Sequence, residues 1–196
     1  MPPKAKFTQK EIVDMAFCIT KERGIDAVTA RELGNRLGSS ARPIFTAFKN
    51  MDEIKELVIL KAKELYGQYV EKGLENPLAF KGVGIAYIRF AIEQPALFRL
   101  LFMQATQNPK DISAILPVID NNYDKILSSV QEPYGLDKDV ANRIYQHLWT
   151  YTHGIATMLV TGLCSYTMEQ LEERLTDIFK GLLLLEKSGG LKNDKN

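Results

Sequence analysis

The chain has 196 residues, 45% hydrophobic and 25% charged, which is the make-up of a globular protein with a sizeable core and excludes a disordered chain. Lys plus Arg number 25 and Asp plus Glu 24, so the formal net charge is +1; taken as one number, this argues against a strongly basic nucleic-acid binder and against a long acidic tail. Two cysteines, Cys18 and Cys164, with no CxxC, do not make a disulfide framework and read as small apolar fillers in a reducing compartment.

Almost every segment reads as helix. Residues 1–6 are a basic, Pro-containing tail with no apolar run behind it, so no signal peptide is expected and the chain reads as cytoplasmic. Thr8-Gln9-Lys10-Glu11 is a capping box, with Phe7 and Ile12 placed as a hydrophobic staple. The helix it starts carries Ile12, Val13, Ala16 and Phe17 on one face, and Gly24 is placed to end it as a left-handed cap. Thr29-Ala30-Arg31-Glu32 is a second capping box, opening a short helix that stops at Gly38. A third short helix is expected from Ser40 to about Phe48, with Pro43 in its first turn, and Asn50-Met51-Asp52-Glu53 caps a fourth running to about Gly73. Longer, more apolar helices follow at roughly 79–93, 95–106, 111–131, 137–164 and 168–187. Pro95, Pro109, Pro133 and Gly135 punctuate them, and a polar tail closes the chain.

The short second and third helices, joined by a tight Gly-containing turn, form a helix-turn-helix pattern, in which the second helix enters the DNA major groove. Gly34 sits where the two helices must cross closely, and Leu33, Leu37, Ile44 and Phe48 supply an internal wedge. Ser39, Ser40, Ala41, Arg42, Pro43 and Thr46 are left facing outward; small residues let the helix sit deep, and Arg42 can reach a guanine edge or a phosphate. Charge agrees with this. Residues 1–50 hold nine basic and five acidic residues, a net +4, against sixteen and nineteen in residues 51–196, a net −3.

These residues are similar to a known family. The first 65 or so resemble the DNA-binding domain of TetR-type transcriptional regulators, through Phe7-Thr8, Ala16, Gly24, Thr29, Leu33, Gly38, Phe45-Thr46-Ala47-Phe48 and Asp52-Glu53-Ile54. Tyr87-Ile88-Arg89-Phe90-Ala91, Pro95, Phe98, Phe102, Trp149 and His153-Gly154 resemble the "WHG" C-terminal domain of one branch. The resemblance implies an all-α homodimer: an N-terminal three-helix DNA-binding domain with a helix-turn-helix over 1–70, then a helical effector-binding and dimerisation domain over 71–190. It implies a palindromic DNA operator, a small-molecule effector, and a repressor rather than an enzyme. Thr29 and Arg31 fall on its phosphate side, and Ser40, Ala41, Arg42, Pro43 and Thr46 on its base-reading side; Ser39, Phe45 and Lys49 complete the expected DNA contact set. The chain departs from the family at Phe45, Ala47 and Met51, where Tyr, His and Lys are common. Those three losses favour a second reading, an all-α ligand-binding or catalytic protein whose helix-turn-helix no longer binds DNA.

The run Ile144–Met168 has 25 residues without Asp, Glu, Lys or Arg, but only 14 are hydrophobic, and five threonines and two histidines stand among them. This suits a helix buried among helices, not one facing lipid, so no membrane association is expected. Leu171, Leu175, Ile178, Phe179 and Leu182 form an apolar stripe on the last helix, expected at the dimer interface. All eight tyrosines and the only tryptophan follow residue 65. Tyr66, Tyr87, Phe90, Phe98, Phe102, Tyr123, Trp149 and His153 are the candidate walls of an effector pocket. His147 and His153 are six apart, unlike an i,i+4 metal pair, and neither a nucleophile–base–acid set nor a Gly-rich phosphate loop occurs. No metal, cofactor or catalytic residue is expected.

Overall fold

The computed structural model describes residues 6–105, 108 and 110–189. The tail over 1–5, Pro109 and the segment from Gly190 onward lie outside the described residues. Among the described residues every regular element is helical: α1 (Gln9–Arg23), a 3-10 turn (Ile25–Ala27), α2 (Ala30–Arg36), α3 (Ile44–Ala47), α4 (Met51–Leu74), α5 (Ala79–Glu93), α6 (Pro95–Phe102), α7 (Ile112–Ile119), α8 (Tyr123–Tyr134), α9 (Lys138–Val160) and α10 (Met168–Lys187). They fall into two compact units. One comprises the described residues of Met1–Leu65 with Gln94–Ala105, the other those of Tyr66–Glu93 with Thr106–Asn196.

In the first unit the expected caps hold, with one change. The Thr8 hydroxyl accepts the Glu11 amide at 3.2 Å while the Glu11 carboxylate accepts the Thr8 amide at 2.7 Å. Thr29 caps α2 in the same way, at 3.2 Å from the Glu32 amide. Glu32, however, does not reach back. Its carboxylate is taken by Arg23 and Arg36, so the second box is half-formed. Gly24 has φ +85° and ψ 167°, outside the left-handed helical region expected of it, in a conformation open essentially to glycine alone. α3 is shorter than the expected 40–48 helix. Pro43 has no N–H to continue a helix, and the Ile44 amide instead bonds Ala41 O at 3.1 Å in a tight turn. Ile12, Ala16, Ile19, Leu33, Ile44, Phe48, Ile54, Val58 and Leu97 form the core.

In the second unit α5 packs against α8, α9 and α10. Gly73 and Gly82 let α4 and α5 touch backbone to backbone: a Cβ on Gly73 would lie 2.7 Å from the Gly82 carbonyl oxygen. The helix expected over 111–131 is two helices, broken at Asp120–Asn122. Asp-Asn-Asn side chains compete for backbone groups, and Asp120 Oδ1 accepts the Asn122 amide at 3.1 Å. α9 ends at Val160 instead of 164. The Gly162 amide bonds Leu159 O, the Leu163 amide bonds Met158 O, and Gly162 takes φ +73°, a Schellman closure. α6 ends at Phe102, where the Gln104 side-chain amide donates to Arg99 O. No helix among the described residues is long and apolar enough to cross a membrane.

Candidate functional site

The α2–α3 pair presents the first candidate surface. A Cβ on Gly34 would stand 3.0 Å from Ser39 O and from Ser40 C, so only glycine admits this approach of the turn to α2 without a backbone shift. Leu33, Ile44 and Phe48 are buried beneath it. Thr29, Arg31, Ser40, Arg42, Phe45, Thr46 and Lys49 are exposed, while Ser39, Ala41 and Pro43 are half-buried. Phe45 is 50% exposed, an apolar ring offered to solvent.

Three cations of this unit are held in ion pairs. Arg36 is held by Glu22 and Glu32, Arg23 by Glu32, and Lys61 by Asp14. Among the described residues Arg31, Arg42 and Lys49 have no ion-pair partner. Lys21, Lys55 and Lys63 of the same unit are also without an ion pair among the described residues, so the helix-turn-helix carries three of the unit's unpaired cations. Lys49 uses only its backbone amide, which donates to Glu53 at 2.9 Å, while the Asn50 side chain accepts the Glu53 amide at 2.9 Å. Asn50 thus opens α4 as the sequence suggested.

The second candidate is a cavity of about 420 Å³ within the second unit. Its walls come from α5, α8, α9, α10 and the end of α4, and they are mostly apolar and aromatic. Of the predicted pocket residues, Tyr66, Tyr87 and Trp149 line it. His153 stands behind them, its Nδ1 2.9 Å from the Tyr87 hydroxyl and its ring stacked on Trp149. Phe90 is buried against Tyr66 and Tyr69, and Tyr123 packs on Tyr145 with its hydroxyl donating to Asn142 at 2.7 Å. Phe98 and Phe102 pack on each other in the first unit and do not line the cavity.

Sequence reasoning missed three lining residues of consequence: Phe80, Tyr145 and Asp120. Asp120 is only 3% exposed. Its Oδ2 accepts the hydroxyls of Tyr66 and Tyr145, each at 3.3 Å. Burial raises its carboxyl above the ordinary range, opposed by these hydrogen bonds, and burial raises both tyrosine hydroxyls as well. A signal for Asp120 was present: Pro117 followed by Asp-Asn-Asn is a turn signature inside an apparent helix.

Residues 80–183, more than half of the chain, match the family model described as the tetracyclin repressor-like C-terminal domain. The chain belongs to this family. Among curated proteins it is 25% identical over 115 residues to the uncharacterized HTH-type transcriptional regulator YobS of Bacillus subtilis (strain 168). That match covers 57% of this chain and 60% of the relative, under two thirds of its length. Among solved structures it is similar to the fatty acid degradation regulator FadR from Bacillus halodurans, with a TM-score of 0.56 and 17% identity over 97% of this chain and 100% of that one. The similarity to FadR concerns the fold, which is all-helical.

In this tetracyclin repressor-like chain the stripe on α10 packs against α5, α8 and α9 of the same chain. Leu171 and Leu175 are buried with Ile88 and Ile155. Ile178, Phe179 and Leu182 pack against the cluster of Leu127, Val130, Ile144 and Leu148. Toward the end of α10, Leu184 and Leu185 are exposed. On α9 the exposed His147, Thr150 and Gly154, with the C-capping Thr161 beyond them, share an outer face that carries no charge from His147 onward; Arg143, one turn earlier, pairs with Glu186.

Proposed function

We propose that this chain is a ligand-responsive transcriptional regulator, a repressor that binds a palindromic operator as a homodimer. The observation that carries the reading is that Arg31, Arg42 and Lys49 stand exposed on the helix-turn-helix with no ion pair among the described residues. Phosphate contact needs such free cations. Arg42 and Thr46 read bases, flanked by the small residues Ser39, Ser40, Ala41 and Pro43. Thr29 and Arg31 meet phosphate from the start of α2, with Lys49 on the opposite flank. The absent polar groups at Phe45, Ala47 and Met51 place a larger share of the binding on those cations.

The cavity is the effector site of this reading, and the outer faces of α9 and α10 pair the subunits. The face of α9 that is charge-free from His147 onward and the exposed Leu184 and Leu185 of α10 support that pairing. The effector acts by preferring the arrangement that does not bind DNA, since only differential affinity shifts an equilibrium.

Selection of genomic fragments by the purified protein, followed by sequencing, tests the proposal. One recovered palindromic site with salt-dependent affinity is the expected result. Absence of enrichment at low salt would overturn it and favour the ligand-binding or catalytic protein with a degenerate helix-turn-helix. Light scattering tests the dimer, and a monomer at micromolar concentration would remove it.

A further inference from the structure

Asp120 is a buried carboxylate in the wall of a mostly apolar cavity, and no Lys or Arg among the described residues forms an ion pair with it. Three donors reach it: the Asn122 amide on Oδ1, and the hydroxyls of Tyr66 and Tyr145 on Oδ2. Both hydroxyls stand at 3.3 Å, beyond the usual O–H···O distance of about 2.7–2.8 Å. A carboxylate has about four lone-pair sites, so it retains acceptor capacity. None of the three donors carries a charge. The cost of burying the negative charge is therefore only partly met inside the protein.

The other charged lining groups do not meet it. Lys81 is already paired with Glu172 at 3.1 Å, and Glu132 and Lys180 are exposed. The deep part of the cavity thus offers a negative group and aromatic rings, and no buried cation. Tyr66, Tyr87 and Trp149 meet edge to face in that wall, with centroids 5.9 and 6.0 Å apart. Aromatic faces beside a carboxylate favour a cation, through the ring quadrupole and the charge together. An anionic ligand would bring like charge to Asp120.

We infer that the cavity takes an apolar ligand bearing a protonated amine, which donates a charge-assisted hydrogen bond to Asp120 while its body lies against the aromatic walls. The inference rests on the reading of this cavity as the effector site and narrows it to one chemical class.

The test uses the full chain and three probes of one shape: phenylbutylamine, phenylbutanol and phenylbutanoate. Trp149 is the only tryptophan and lines the cavity, so its fluorescence reports occupancy without DNA. Near neutral pH the amine is expected to bind at least about tenfold more tightly than the alcohol, with the carboxylate weakest. In Asp120→Asn the preference for the amine should vanish while the alcohol binds as before. Binding of alcohol or carboxylate as tightly as the amine in the wild type would overturn the amine assignment and leave the cavity a ligand site. A preference that survives in a folded Asp120→Asn would overturn the role of Asp120. Failure of all three probes to bind would overturn the cavity reading itself. The wild-type comparison needs no variant to fold.

Discussion

The Trp149 indole and the His153 imidazole lie face to face, centroids 4.8 Å apart and planes 5° from parallel. Burial pulls the His153 pKa below its ordinary value. Protonated imidazole quenches a stacked indole, so a pH titration of tryptophan fluorescence should show a midpoint below about 6.5. His153→Gln should abolish that transition. The sign of the stability effect follows. The unfolded chain takes up the proton at the ordinary pKa, before the folded one does. Stability should fall as pH drops through about 6.5 and level off below the folded pKa. Thermal melts that show the same acid loss in wild type and His153→Gln would contradict this.

Gly82→Ala should destabilise the protein by at least about 1–3 kcal/mol, because its Cβ would collide with the Gly73 carbonyl, which backbone cannot easily yield. Gly67 on α4 is the control. A Cβ there meets nothing within 4 Å, so Gly67→Ala should be stabilising, by roughly 0.5–1 kcal/mol. Urea unfolding of the two variants reads both signs.

Arg42→Ala should weaken specific operator binding by about 1–3 kcal/mol and relax preference at one base position. Lys49→Ala should weaken binding evenly across sequences and lower the salt slope by about one. Arg36→Ala should do neither, since that guanidinium is already held by Glu22 and Glu32. Binding titrations over a salt series separate the three.

Thr150→Arg places a charge on the outer face of α9 and should convert the proposed dimer to monomer in sedimentation experiments. The same gain of one charge on the exposed Ala114 of α7, Ala114→Arg, gives the comparison for non-specific charge effects away from α9 and α10. An intact Thr150→Arg dimer would place the interface elsewhere.

Asp120→Asn should raise the melting temperature near neutral pH. Burial holds the folded carboxyl above its unfolded pKa, so ionising it costs folded stability. That cost is present above the folded pKa and disappears below about 3.9, where both states are protonated. The advantage of Asp120→Asn should therefore shrink on acidification. A constant difference across the range would mean that the desolvated charge is not its source.

Much of this molecule is local and was readable in the chain. Thr8 and Thr29 start their helices because a hydroxyl can take an orphan amide three residues on, and that needs no distant partner. Gly34 could be assigned to a close approach because a glycine inside a helix needs a reason. Of the residues expected to face outward, Ser40, Arg42 and Thr46 are exposed, whereas Ser39, Ala41 and Pro43 are half-buried in the tight turn. Glu32 was misread because its competitors, Arg23 and Arg36, reach it only after the chain has folded.

The near-neutral total charge is likewise a property of the sequence that only folding interprets. The sequence alone determined a basic head, a slightly acidic body and an all-helical chain punctuated by caps and prolines, since these depend on composition and on neighbours a turn away. Tertiary structure decided which cations remain unpaired, which side of α10 turns inward, and that Asp120 is buried in the cavity wall beside Tyr66 and Tyr145. Those outcomes depend on residues far apart in the chain, 54 positions for Tyr66 and Asp120, and on burial, which shifts a charge's energy without leaving any mark on local spacing.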